Sequence, residues 1–191
     1  MKKLLVMVFA AMTVSASVYA QSDEPKNELG VFYGFGSASD IISTYATSFS
    51  FKTGDQSGFW GPIGVEYYRH LTPLIAVGGM FEYAGCKLAK LANQNGDMKV
   101  TYFTVMPSVK FNWLRKSHFG MYSALSAGMM IASLKVDDVL KTAPDVKDET
   151  VTDFMFQITA LGLEAGKDLR GFAEFGVGEK GIICAGLRYK F

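Results

Sequence analysis

Few residues in this chain have the type and spacing for bond-making chemistry. A hydrolase or acyltransferase of the Ser/His kind needs a base within hydrogen-bond reach of its nucleophile, and the sequence holds two histidines, His70 and His118. The run Gly34-Phe35-Gly36 has the beginning of a nucleotide-binding loop, but Ser39 stands where the third glycine belongs and no βαβ pattern follows. Between 135 and 149, Asp137, Asp138, Asp145, Asp148 and Glu149 alternate with Lys135, Lys141 and Lys147. Such oxygen-rich loops can hold a divalent cation, yet EF-hand spacing is missing and a solvated loop explains the composition better. Cys86 and Cys184 lie far apart in sequence and make no disulfide framework; both are expected to be unpaired thiols.

The remaining chemistry is charge. Glu66, Glu82, Lys110, Glu174 and Arg188 all sit on the polar side of segments that alternate apolar and polar residues. If that side faces an interior, these groups must find partners or change protonation state. The expectation is an ion-paired network plugging the interior; an ion pathway gated by the same network is the functional alternative.

The elements that would position these residues are strands. Period-two alternation bounded by turn residues places them at about 28–37, 61–71, 74–83, 99–114, 119–134, 150–165, 171–178 and 181–191. In the first, Leu29, Val31, Tyr33 and Phe35 oppose Gly30, Phe32, Gly34 and Gly36; in the last, Ile183, Ala185, Leu187, Tyr189 and Phe191 oppose Cys184, Gly186, Arg188 and Lys190. Pro107 falls inside the fourth strand and predicts a bulge or bend there. Alternation is lost from Ala160 to Glu164, so the direction of Glu164 stays open.

Length, charge and leader narrow the setting. Residues 1–20 combine Lys2 and Lys3, a short apolar stretch and a terminal Ala20, the anatomy of a cleaved secretory signal. Cleavage before Gln21 leaves a single domain over 21–191, with 17 basic and 18 acidic residues once Lys2 and Lys3 are removed from the 19 and 18 of the whole chain. That balance, without a basic stripe, predicts no nucleic-acid partner. No segment of 21–191 is apolar for long enough to form a membrane-spanning helix, so an exported chain that enters lipid must do so as a closed barrel.

Alternation alone does not say which face points inward; a soluble lipocalin-like carrier shows the same pattern reversed. Three features favour apolar side outward. The polar side is rich in small residues, as suits the narrow interior of eight strands. Connections alternate between short ones near 71–73, 115–118 and 166–170 and long ones near 38–60, 84–98 and 135–149, with a tight turn at Glu179-Lys180. Aromatics gather at the ends of the apolar face: Tyr67, Phe111, Trp113, Tyr189 and Phe191 toward the short turns, Trp60, Tyr83 and Phe103 toward the long loops. On this reading both histidines belong to the short-turn rim, as solvated or interfacial side chains. The first long loop, with Ile41, Ile42, Tyr45, Phe49 and Phe51, is apolar enough to rest on a membrane surface or pack on itself above the barrel mouth.

The C-terminal run Gly186-Leu187-Arg188-Tyr189-Lys190-Phe191 resembles the β-signal of outer-membrane proteins, in which Gly186, Tyr189 and Phe191 would be read by the barrel-assembly machinery; Cys184 departs from the polar residue usual at its position. More broadly, 28–191 resembles the small porin-like outer-membrane barrels of the OmpX and OmpA transmembrane type, with Phe156 to Gly162, Gly171 to Gly176 and Lys180 to Ile183 similar to the closing hairpins. The resemblance implies an all-β, eight-stranded, antiparallel, transmembrane up-and-down barrel in the outer membrane of a Gram-negative cell, with both termini periplasmic. Outer-membrane lipid and lipopolysaccharide are its expected partners, and a monomer without catalytic residues, cofactor or metal is its expected form. The scaffold is specific for architecture and poor for function: envelope structure or surface interaction through the loops leads, a narrow channel follows, and a lipid-modifying enzyme or soluble periplasmic carrier comes last.

Overall fold

The computed structural model describes residues 26–39, 59–88, 98–136 and 149–191, apart from the side chains at 59, 86–88, 98, 99, 134–136 and 149. The leader, the apolar first loop and the acidic third loop considered above lie outside the described residues. Eight antiparallel strands follow in chain order: β1 (Asn27–Phe35), β2 (Phe59–His70), β3 (Ile75–Leu88), β4 (Met98–Arg115), β5 (Phe119–Val136), β6 (Glu149–Gly166), β7 (Leu169–Gly178) and β8 (Ile183–Lys190). Each pairs with its sequence neighbours, and β1 pairs with β8 through Val31↔Leu187 and Gly34↔Cys184, so the sheet closes on itself. Closure leaves no unpaired edge around the wall where these ladders run.

Alternating burial follows the alternating sequence, but with the usual polarity reversed. Along β1 the exposed side chains are Leu29, Val31, Tyr33 and Phe35, while Glu28 and Phe32 are buried. Elsewhere too, large apolar groups such as Val65, Val105, Phe111, Leu125, Ile158 and Leu187 face out, whereas Glu66, Lys110, Gln157, Glu174 and Arg188 are enclosed. The interior is a bore filled by side chains, as eight strands dictate.

Strand lengths are uneven. β3 to β6 run 14 to 18 residues, whereas β7, β8 and β1 run 8 to 10. Residues Glu149 to Phe156 of β6 continue past its last ladder pair with β7, Gln157↔Gly178, which is roughly 26 Å at about 3.3 Å per residue. The wall therefore rises higher on one side, at the end carrying the long connections. β3 is longer than alternation suggested and carries Cys86 within it, opposite Val100 on β4. β1 and β8 are shorter, because Gly36 (φ 67°) and Gly181 (φ 106°) adopt the left-handed backbone that ends a strand.

Pro107 does not produce the expected bulge. The β4–β5 register is the same at Val105↔Met129 and Ser108↔Ser126, and on its other side Pro107 faces Gly79, a neighbour without a side chain. Register shifts occur instead between Trp60 and Ile63, Asn112 and Leu114, Tyr122 and Ala124, and Thr159 and Leu161. The last two account for the lost alternation after Thr159 and turn Glu164 inward, where it is buried.

Candidate functional site

The bore is the one region that concentrates reactive groups among the described residues. Arg188, on β8, projects into it because its neighbours Leu187 and Tyr189 take the outer face. Its guanidinium donates to Glu66 Oε1 through Nε at 3.0 Å and through Nη2, and to Glu164 Oε2 through Nη1 at 2.9 Å. Phe172 and Tyr122 lie under it, with ring centroids 4.2 and 5.0 Å away, so the planar cation is held by both forks and faces.

Toward the short turns the network is centred on two carboxylates. Glu28 receives His70 Nε2 at 2.6 Å, Lys110 Nζ at 2.7 Å and Lys190 Nζ at 2.8 Å. Glu164 receives Lys190 Nζ at 2.5 Å and Arg170 Nη1 at 3.0 Å. Arg170 also donates to the carbonyls of Lys116 and Ser117 in the β4–β5 connection and of Lys167 in the β6–β7 connection. One side chain thereby pins two turns under the bore.

Toward the long loops, Lys180 Nζ lies 2.7 Å from both Glu66 Oε2 and Glu174 Oε2, with the Phe32 ring 4.3 Å from the ammonium. The other Glu174 oxygen accepts from Tyr122 Oη at 2.6 Å. An apolar cluster of Phe32, Met80, Met106, Met130, Met155, Phe172 and Cys184 fills the space beside this layer; Cys184 is a buried free thiol. Above Lys180, in the β7–β8 turn, Glu179 accepts from the Ser39 backbone N–H at 3.2 Å. Burial raises its carboxyl above the ordinary carboxylate pKa.

Four of the five charges singled out from the sequence are brought together: Glu66 and Glu174 are bridged by Lys180 and approached by Arg188, and Lys110 joins through Glu28 and Glu164. Glu82 is the exception. It is buried, yet neither of its carboxylate oxygens has a hydrogen-bond partner, so it does not belong to the paired network expected of it. His70 also departs from expectation: it is enclosed and bound to Glu28 rather than solvated, because the inward parity of β2 carries Glu66, Tyr68 and His70 alike. His118 is exposed and sits beside Ser117, Nδ1 to Oγ 3.0 Å, on a turn that encloses neither group.

Glu28, Glu164, Arg170, Lys180 and Lys190 were absent from the charges picked out in sequence. Lys190 shared the face of Arg188 and could have been added by parity alone. Lys180 is a turn residue that folds back into the bore, which no periodicity signals.

The apolar face places Trp60, Tyr83 and Phe103 in a continuous arc, with ring centroids 5.1 and 4.9 Å apart. At the opposite end Tyr67, Phe111, Trp113, Tyr189 and Phe191 are exposed, Tyr189 and Phe191 stacking at 5.8 Å. Gly186 lies beneath Phe172: a Cβ there would come within 2.8 Å of that ring.

No protein-family model and no curated protein sequence matches the chain. Among solved structures, the crystal structure of Ail, the attachment invasion locus protein of Yersinia pestis, is similar at 14% identity, covering 88% of this chain and 99% of that one with a TM-score of 0.45. The N-terminal β-barrel domain of Pseudomonas aeruginosa OprF is similar at 12% identity, covering 88% and 98% with a TM-score of 0.44. The barrel assignment stands on the closed strand ladder itself.

Proposed function

We propose that this chain is a non-enzymatic barrel of the outer membrane, sealed along its axis, that contributes to envelope structure or to surface interaction through its long-loop end. One observation carries the proposal: bulky apolar side chains coat the outside of a closed eight-stranded wall while ion pairs fill its bore. In water such an exterior would be costly over every strand; in lipid it is the ground state. The aromatic arcs at the two ends of that face suit the two membrane interfaces.

Enclosed Arg188, Lys110, Glu66 and Glu28 support a plug rather than an open conduit, since they are ion-paired across the bore. The non-catalytic reading is supported by His70, whose Nε2 is held by Glu28 while its Nδ1 meets no hydroxyl or thiol, and by the open setting of His118. Gly186, Tyr189 and Phe191 are assigned to recognition by the assembly machinery, and lipid with lipopolysaccharide to contact with the apolar face and loop end.

Fractionation of cells expressing the full chain, together with gel migration in detergent before and after boiling, tests this. The expected result is recovery with the outer membrane and a boiling-dependent shift. Recovery as a freely soluble periplasmic species that needs no detergent overturns it.

A further inference from the structure

Among the described residues the bore encloses no leucine, isoleucine or valine; these stand on the outer face, as at Val31, Val65, Leu125 and Leu187. The buried positions that such residues would fill hold Met80, Met106, Met130, Met155 and Cys184, all packed in one cluster. Packing alone favours branched aliphatics with well-defined rotamers and uses methionine to fill gaps. Thioethers and a thiol share a second property, that of soft donor atoms. The strand register draws them together. Met80 and Met106 are cross-strand partners on β3 and β4, and a Cβ at Gly128 would come within 3.0 Å of Met106 Cγ. Met106 thus lies across Gly128 toward Met155, the partner of Gly128 on β6. Directly opposed residues stand about 5 Å apart and diagonal ones about 7–8 Å, within reach of long side chains.

Glu82 borders this sulfur patch. It lies two residues beyond Met80 on the inner face of β3, opposite Thr104, which is in turn opposite Met130. Both of its carboxylate oxygens are enclosed without a partner, and Lys180 is already balanced by Glu66 and Glu174. An enclosed anion left in that state is costly enough to call for a cation. We propose that the sulfur cluster around Met106 binds a soft monovalent cation, Cu(I) or Ag(I), with the Glu82 carboxylate as its counter-charge. Thioethers are neutral donors, so one such ion and one carboxylate balance. A hard divalent ion fits poorly, because it takes about six to eight oxygens where this patch offers sulfur. Bound there, the ion joins β3, β4 and β6 through the methionines that line it.

The test refolds the full mature barrel in detergent with Cu(I) kept reduced by ascorbate under nitrogen. Bound copper is counted after desalting, its neighbours are read by X-ray absorption, and affinity is measured by competition with bicinchoninate. The expected result is one copper per chain with sulfur neighbours. Affinity should fall at least tenfold in Met106→Leu, a swap that conserves volume, and in Glu82→Gln, and stay at the wild-type value in Met129→Leu, whose side chain is on the outer face. Boiling-dependent gel migration verifies that each variant is folded. A wild type that retains no copper, or holds it through nitrogen and oxygen alone, overturns the proposal. So does a loss smaller than tenfold in Met106→Leu or Glu82→Gln, or an equal loss in Met129→Leu, since either places the ion elsewhere.

Discussion

Arg188 touches carboxylates from four strands: Glu66 on β2, Glu164 on β6, and, at 3.6 Å each, Glu28 on β1 and Glu174 on β7. Removing it strands those anions in a closed space, and breaking a buried pair from one side costs about 3–5 kcal/mol. Arg188→Met is therefore expected to lower stability by that amount in urea unfolding of the micelle-bound barrel. Arg188→Lys should recover only part of it, since a compact ammonium lacks the planar fork whose separate nitrogens reach Glu66 and Glu164. A loss below about 1 kcal/mol for Arg188→Met, within the range of exposed pairs, would mean that the guanidinium is solvated. Charge type and parity made Arg188 and Glu66 readable in the sequence. That Glu82 would stand apart from them was not readable, because partner assignment depends on a turn residue, Lys180, whose reach into the bore follows from the left-handed backbone at Gly181 and not from any repeat.

At the scale of elements, ring-on-glycine contacts set the spacing of neighbouring strands. Tyr122 on β5 lies against Gly162 on β6, its cross-strand partner, and a Cβ at Gly162 would sit 2.3 Å from the ring. Gly162→Ala must displace Tyr122 from Glu174 and overpack the layer, for which about 1–3 kcal/mol is the ordinary cost; urea midpoints check this, and an unchanged midpoint would refute it. Arg170 joins the β4–β5 and β6–β7 connections, so Arg170→Ala should speed amide exchange in both turns while the β3–β4 ladder keeps its protection. Exchange confined to one of the two turns would contradict the joint role. Strand existence was legible from alternation throughout. Bulges were legible only where alternation lapsed after Thr159: Pro107 carried the obvious signal and kept its register beside Gly79, whereas the shift at Asn112 to Leu114 occurs in a run with no glycine or proline to mark it.

For the molecule as a whole, the ion-paired bore and the apolar coat make separate predictions. In planar bilayers the wild type should insert without discrete conductance, since ion pairs occupy the section around Arg188; steady open-channel currents from the wild type would contradict the plug. Deleting Phe191 removes the reciprocal backbone bonds with Asn27, 2.9 Å in each direction, along with one aromatic of the short-turn end. Refolding into detergent should then slow, and cells should accumulate the form whose gel migration boiling does not change; unaltered yields of folded protein in both settings would show that the terminal residue is dispensable. The same clasp makes the first and last strands, β1 and β8, mutual partners. Pairing across so long a sequence separation gives this topology a high contact order and a slow final step. Until β1 meets β8 the sheet keeps two raw strand edges beside an apolar face, the state in which aggregation competes with closure.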